Sequence, residues 1–358
     1  MNDLHHLNEI GQSIWLDNLS RDLLQTGRLQ ELVSKGVSGL TSNPSIFAKA
    51  IVGSERYRAD LARAKAMYAS PQTRLESLLI PDIQAACDLF LPVFDKSRGD
   101  DGYVSLEVSP DLANDARATV EQAKHLRQAV DRPNVLIKVP GTAAGQEALE
   151  VLIEQGINVN VTLLFSVRQT LRTFEAYIRG LRKRHDQGLP LDRIKAVASL
   201  FLSRVDSHAD KRLDVLGTQP ALALRGRLAL ATAKLAYERY LELFHGPHFA
   251  DLASAGARPQ YLLWASTSTK NPAYPDLLYV EPLEGPETIN TVPDATLDAF
   301  LGHGHAQASL LDPQHSAREA WLEAEKLGIS PDQVGDILQD EGLKLFSQSY
   351  GELLALVR

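Results

Sequence analysis

Apolar residues gather in eight short runs along the chain, separated by longer stretches with helical periodicity. The runs are IWLDNL (14–19), GLTSN (39–43), YVSLEV (103–108), NVLIKV (134–139), INVNVTLLF (157–165), AVASLFL (196–202), QYLLWAST (260–267) and DLLYVEPL (276–283). Between them, segments such as TVEQAKHLRQAV, AGQEALEVLIEQG and ALATAKLAYERYLELF repeat apolar residues three or four apart, the spacing of an amphipathic helix. Strands alternating with helices imply a parallel sheet with right-handed crossovers. Eight is the number that a closed β/α barrel requires. An open doubly wound sheet is the alternative, and it binds nucleotides at its switch point. Against it, no G-x-G-x-x-G follows the first run and no G-x-x-x-x-G-K-[ST] occurs in the chain.

The expected fold is therefore an α/β protein, an eight-stranded parallel β/α (TIM) barrel with additional C-terminal helices. The chain, 1–358, is expected to form one barrel domain, with residues from about 300 to 358 as a helical appendage packed on it. Within that tail, SPDQVGDIL (330–338) offers a Ser cap followed by Pro at the first helical position.

Polar residues interrupt these apolar runs. Asp17 falls in IWLDNL, Asn43 closes GLTSN, Glu107 falls in YVSLEV and Lys138 in NVLIKV. Asn160 and Thr162 are two apart, so they share one strand face. Ser199, Phe201 and Arg204 come from ASLFLSR. One such residue reads as a satisfied core group. Contributed by strand after strand, they converge where a barrel assembles its site, at the C-terminal mouth. Asp, Glu and Lys are desolvated together only where they pair or perform chemistry, so a structural ionic network at the mouth is the competing reading.

Composition narrows the classes. The chain is 44% hydrophobic and 23% charged, ordinary for a globular protein able to bury a large core. A formal net charge of −8 argues against a general nucleic-acid binder. The basic cluster RGLRKRHD (179–186) reads as the solvated end of a helix. The single cysteine, Cys87, excludes an internal disulfide and fits a reducing compartment. The N-terminus is polar and acidic, and no stretch reads as the roughly 18 apolar residues of a membrane span. A cytoplasmic protein without membrane or nucleic-acid partners is expected.

A lysine among carboxylates points to covalent amine catalysis. A free amine attacks a carbonyl, which requires its usual pKa near 10.4 to be lowered by burial or a nearby cation. The resulting iminium draws electrons from the adjacent carbon–carbon bond, and carboxylates move the protons. Metal alternatives are weak, because His245 and His248, or His303 and His305, are loosely spaced. No G-x-S-x-G elbow supports a serine nucleophile, and no motif for a pyridoxal phosphate is present.

With these segments the chain resembles the transaldolase family: IWLDNLSRDLL, GVSGLTSNPSIF, VSLEVSP, NVLIKVPGT, GINVNVTLLFS, ASLFLSRVD and LLWASTSTKNPAYPDLLYVEPLEGPETINTVPDAT. Its length and the TKNPAYPD segment look like the longer bacterial subfamily. The resemblance implies an enzyme of the non-oxidative pentose phosphate pathway that needs no cofactor and no metal. Such an enzyme transfers a dihydroxyacetone unit from sedoheptulose 7-phosphate to glyceraldehyde 3-phosphate, giving erythrose 4-phosphate and fructose 6-phosphate. By motif, Lys138 becomes the Schiff-base nucleophile and Asp17 the acid/base at the C4 hydroxyl. Glu107 and Thr162 hold the water that relays protons. Asn43, Asn160 and Ser199 bond the donor hydroxyls, Phe201 lines the pocket and Arg204 grips a phosphate. The shorter subfamily has a second phosphate-binding Arg where this chain reads ASTSTKNP, and Lys270, helped by Ser266 and Ser268, is the candidate there. The aldolase branch of the superfamily carries Tyr and Gln where this chain has Phe201 and Glu107. The oligomeric state, monomer or homodimer, stays open.

Overall fold

In the computed structural model, which describes residues 3–311 and 315–358, eight strands close into a barrel in chain order. They are β1 (Gln12–Leu16), β2 (Gly39–Thr41), β3 (Val104–Glu107), β4 (Val135–Pro140), β5 (Val159–Leu164), β6 (Ala196–Phe201), β7 (Tyr261–Ala265) and β8 (Thr288–Val292). Each neighbouring pair is parallel, and β8 closes the barrel on β1, with Thr288 opposite Gln12 and Val292 opposite Leu16. The periodic stretches form the surrounding helices, among them Ala116–Val130, Ala143–Glu154 and Leu228–Phe244.

The eighth strand corrects the sequence reading. DLLYVEPL (276–283) is turn and a short 3-10 helix (Glu281–Leu283), and the strand is the more polar TINTV. The apolar run is buried for another reason. Leu277, Tyr279 and Leu283 pack into the core, while the Tyr279 hydroxyl donates to Asp206 (2.8 Å) and its carbonyl accepts from Asn290 Nδ2 (3.0 Å).

Strand side chains alternate with period two, so Trp15 and Asp17 lie on one face. Trp15 fills the barrel interior against Gly39, where an added Cβ would come within 2.5 Å of the indole. Its Nε1 donates to Asp101 (2.8 Å).

The helix Pro71–Lys96 is long and apolar enough to cross a membrane by length and composition, which the sequence reading did not anticipate. It is a barrel helix: Leu75, Leu78, Ile83, Ala86, Cys87 and Phe90 are buried along it. Its buried Asp82 accepts from Arg21 Nε (2.9 Å) and Tyr57 (2.7 Å). Cys87 is wholly buried, and burial pushes its thiol up to about 12.

The C-terminal helix, Pro331–Val357, begins on the Ser330 cap as expected. It runs along the Pro44–Gly53 helix and over the ends of the central strands. At β5, Leu163 adopts φ +61°, and the register against β6 shifts between Val161 and Leu164. That bulge frees a carbonyl. Gln339 Nε2 takes it, donating to Leu163 O and to Gly141 O, each at 3.0 Å. Gly335 permits the approach, since a Cβ there would lie 2.7 Å from Ser166 Cβ.

Candidate active site

Lys138 occupies the fourth position of β4, in register with Glu107 on β3 and Asn160 on β5. The three side chains therefore project into the barrel at one level, although Glu107 ends β3, Lys138 is fourth in β4 and Asn160 second in β5. Lys138 Nζ donates to the Ser42 carbonyl (3.1 Å) and lies 3.7 Å from Glu107 Oε2. The side chains of Lys138 and Glu107 are 6% and 7% exposed. Burial pushes the Glu107 carboxyl up to about 7, the Lys138 charge pulling it back. A carboxyl near 7 can give and take a proton at neutral pH.

Asp17, one residue beyond β1, accepts from Thr41 Oγ1 (2.7 Å), which in turn accepts from Thr291 Oγ1 (2.7 Å). Burial raises its carboxyl pKa; the Lys138 charge and the Thr41 hydrogen bond oppose that shift. Asn43 caps the Pro44–Gly53 helix by accepting from Ile46 N (3.0 Å), which leaves its amide nitrogen for a ligand. Ser199 Oγ donates to Asn160 Oδ1 (2.6 Å), and Asn160 Nδ2 donates to Ser105 Oγ (3.0 Å).

These side chains surround a cavity of about 470 Å³, within the size range of small-molecule sites. Asp17, Asn43, Lys138, Thr162, Ser199, Phe201, Arg204 and Lys270 all line it, with Ser266 and Ser268. Glu107 and Asn160 do not line it: they stand behind Lys138 and Ser199 and reach the cavity through them. Among the described residues, the buried oxygens Thr162 Oγ1 and Glu107 Oε2 have no hydrogen-bond partner, the situation that an ordered water resolves in a protein interior.

Several lining residues were missed in the sequence. Thr41 is two residues before Asn43 on the same strand face, a spacing that could have found it. Lys49 lies on the same helix turn as Ser45 and Ile46, readable by the three- and four-residue spacing that follows the Asn43 cap. Leu345, Phe346 and Ser349 come from the C-terminal helix, with no local signal. Lys195 was also missed as a buried lysine. It lies just before β6 at the opposite end of the barrel, where Nζ donates to Asp100 (2.7 Å) over the Tyr261 ring. Burial pulls its pKa down, but it does not line the cavity at the mouth.

The lining carries four cationic side chains, Lys49, Lys138, Arg204 and Lys270, against one carboxylate, Asp17. In a chain of net charge −8 that concentration of positive field favours an anionic ligand. The Arg204 guanidinium sits 5.4 Å from the Phe201 ring centroid. Lys270 Nζ donates to Ser268 Oγ (2.6 Å). Burial lowers the Lys270 pKa, and the neighbouring charges of Arg204 and Lys49 add to the effect while Asp17 opposes it. Of the paired histidines, His245 meets Glu287 (2.6 Å) and His303 meets Asp276 (3.2 Å).

Residues 14–357 match the family model described as Transaldolase/Fructose-6-phosphate aldolase. A transaldolase of Thiobacillus denitrificans is 55% identical over 358 residues, covering 100% of both chains. One from Neisseria gonorrhoeae is 47% identical over 99% of each. Transaldolase 1 of Streptomyces coelicolor is 47% identical over 99% of this chain and 93% of its own. The chain belongs to the transaldolase/fructose-6-phosphate aldolase family.

Proposed function

We propose that the chain is a transaldolase, moving a dihydroxyacetone unit between sugar phosphates through a Schiff base on Lys138. The observation that carries this reading is Lys138 itself: a buried amine in register with Glu107, facing a cation-rich cavity that also holds Asp17. Lys138 Nζ attacks the ketose carbonyl, and loss of water leaves an iminium. Asp17 takes the proton of the C4 hydroxyl as the C3–C4 bond breaks, releasing an aldose phosphate. The three-carbon unit stays on Lys138 as an enamine. It then adds to the carbonyl of the acceptor aldehyde, and hydrolysis frees the new ketose. Glu107 and Thr162 hold the water of these proton transfers, Asn43 and Ser199 orient hydroxyls, and Arg204 and Lys270 take phosphate.

Family membership also admits an aldolase that releases free dihydroxyacetone. Phe201 lines the cavity and has no hydroxyl to protonate the enamine or order a water beside it, which favours transfer over release. The test is borohydride reduction with fructose 6-phosphate, followed by peptide mapping. One three-carbon adduct is expected on Lys138, with adduct and turnover abolished in Lys138→Met. Without acceptor, dihydroxyacetone is expected to stay negligible, and erythrose 4-phosphate starts turnover. An adduct on Lys195 or Lys270 would sink the nucleophile assignment, and steady dihydroxyacetone release would establish the aldolase.

A further inference from the structure

Glu107 faces two ways. In front it meets Lys138; behind, it lines two further cavities of about 30 Å³ each. Either is large enough for an ordered water. Both share Leu79, Leu106, Glu107 and Tyr350 as walls. The first lies toward Ser42, Asn43 and Phe47. The second extends from Glu107 past Ser109 and Gln122 to Glu76, whose side chain is 20% exposed and paired with the more open His125 (2.9 Å). Tyr350 comes from the C-terminal helix, with its hydroxyl beside Ser109. Glu107 Oε2, the oxygen 3.7 Å from Lys138 Nζ, is buried and, among the described residues, accepts no hydrogen bond, so it has room for a water as donor.

Imine formation needs a path for water. In net terms a lysine ammonium and a ketone give an iminium and one water: the nitrogen loses two protons and the carbonyl oxygen leaves with both. Glu107 can carry those protons from nitrogen to oxygen. The front cavity is then filled by the sugar, and Phe346 and Ser349 wall its outer side. We propose that the two rear cavities hold water through which Glu107 exchanges protons with solvent, and that Tyr350 orders this path as a positioning residue. Water thus enters and leaves the imine step from behind β3, not only through the occupied mouth. This rests on the reading of Lys138 and Glu107 given above.

The experiment follows oxygen. Fructose 6-phosphate is incubated with the full-length protein in ¹⁸O-water without acceptor, and label entering the C2 carbonyl above the uncatalysed rate is measured by mass spectrometry. Leu79→Phe places extra volume in the wall that both cavities share. It is expected to slow exchange by roughly tenfold, with KM for the ketose unchanged. Tyr350→Phe keeps the shape and removes the hydroxyl. It guards against a folding defect in the first variant, and is expected to slow exchange severalfold and to shift its pH profile. Exchange unchanged in a folded Leu79→Phe and in Tyr350→Phe overturns the path. So does a slowing matched by a rise in KM, which would mean a distorted sugar site. Borohydride trapping in the unmutated protein separates the two readings: an adduct on Lys138 with exchange indifferent to both variants removes only the path, whereas no adduct removes both.

Discussion

Arg204 and Lys270 are both cations at the mouth, but they are not equivalent. Arg204 is half-buried against Phe201 and, among the described residues, forms no hydrogen bond or salt bridge, so its planar fork is free for a phosphate. Lys270 is exposed, already bonded to Ser268, and shares its surroundings with Arg204 and Lys49. Arg204→Ala is therefore expected to raise KM for phosphorylated sugars by roughly 10- to 100-fold, the loss of a charged hydrogen-bonded contact. Lys270→Ala is expected to raise it only a few-fold, because solvent screens an exposed charge. Unphosphorylated substrates should respond to neither. A fall in kcat at constant KM would instead give Arg204 a structural role. What made Lys138, Asp17 and Glu107 legible in the chain was cost: each breaks an apolar run, and the physics of burial demands a reason. Lys49 and Lys270 break no such pattern. They sit in a helix and a loop where charge is unremarkable, and only the closed barrel brings them to the same cavity. Lys195 shows the converse limit. Its burial is as complete as that of Lys138 and both have a carboxylate partner, so only the cavity, which Lys138 lines and Lys195 does not, separates the two.

Elements supply what single residues cannot. β3, β4 and β5 put Glu107, Lys138 and Asn160 at one level because adjacent parallel strands fix their register. β3, β4 and β5 stood out in the chain by their apolar runs, though their mutual register was not legible. β8 did not, because TINTV buries Thr288, Asn290 and Thr291 and carries little apolar signal. The polar groups are satisfied inside: Thr288 donates to Gly285 O (2.6 Å) and Asn290 to Tyr279 O (3.0 Å). Meanwhile DLLYVEPL imitates a strand while serving as a buried strap, tied to the Ser203–Leu216 helix through Tyr279 and Asp206. The C-terminal helix was legible as a helix from its cap, but its partner was not, since amphipathic spacing says that a face is buried and not against what. Here it walls the cavity with Leu345, Phe346 and Ser349, so the tail expected as an appendage is part of the site. Its tether is Gln339. Gln339→Leu removes two hydrogen bonds to strand-end carbonyls, which is expected to lower stability by about 1–3 kcal/mol. Because the wall loosens with it, KM should rise as well. Denaturant unfolding and KM measured together check this. A variant unchanged in both would mean that the helix is held by its apolar face alone.

Across the whole molecule, buried carboxyls set the pH dependence of stability. Burial pushes Glu107 up to about 7, Glu284 to about 8 and Asp206 to about 6. Asp17, Asp82, Asp101 and Asp210 are shifted in the same direction by the same cause. A folded-state pKa above the unfolded value means that the native state holds its proton more tightly. Stability from these groups is then fully present below the unfolded pKa and is lost as pH rises through the folded one. Carboxyls lowered by hydrogen bonds and, less, by neighbouring cations, such as Asp22, Glu31 and Asp251, act only below the ordinary carboxyl range. His208, pushed down by burial, works in the opposite sense between these limits, but it is one group against several. The net expectation is a decline of a few kcal/mol between pH 5 and pH 8.5, since each tenfold change in proton affinity on folding is worth about 1.4 kcal/mol. Glu284 is the cleanest probe because it lies outside the site. It accepts from Gln307 N (2.5 Å), Glu281 and Asp3 add like charge, and Oε1 is buried and, among the described residues, unpartnered. Glu284→Gln keeps an acceptor for Gln307 and removes the ionisation. Thermal unfolding should show the variant matching the parent near pH 5, exceeding it above pH 8, and retaining full transferase activity. A melting temperature of the parent that rises from pH 5 to pH 8.5 would reverse the sign assigned to the buried carboxyls, and parallel curves for the two proteins would remove Glu284 from the account.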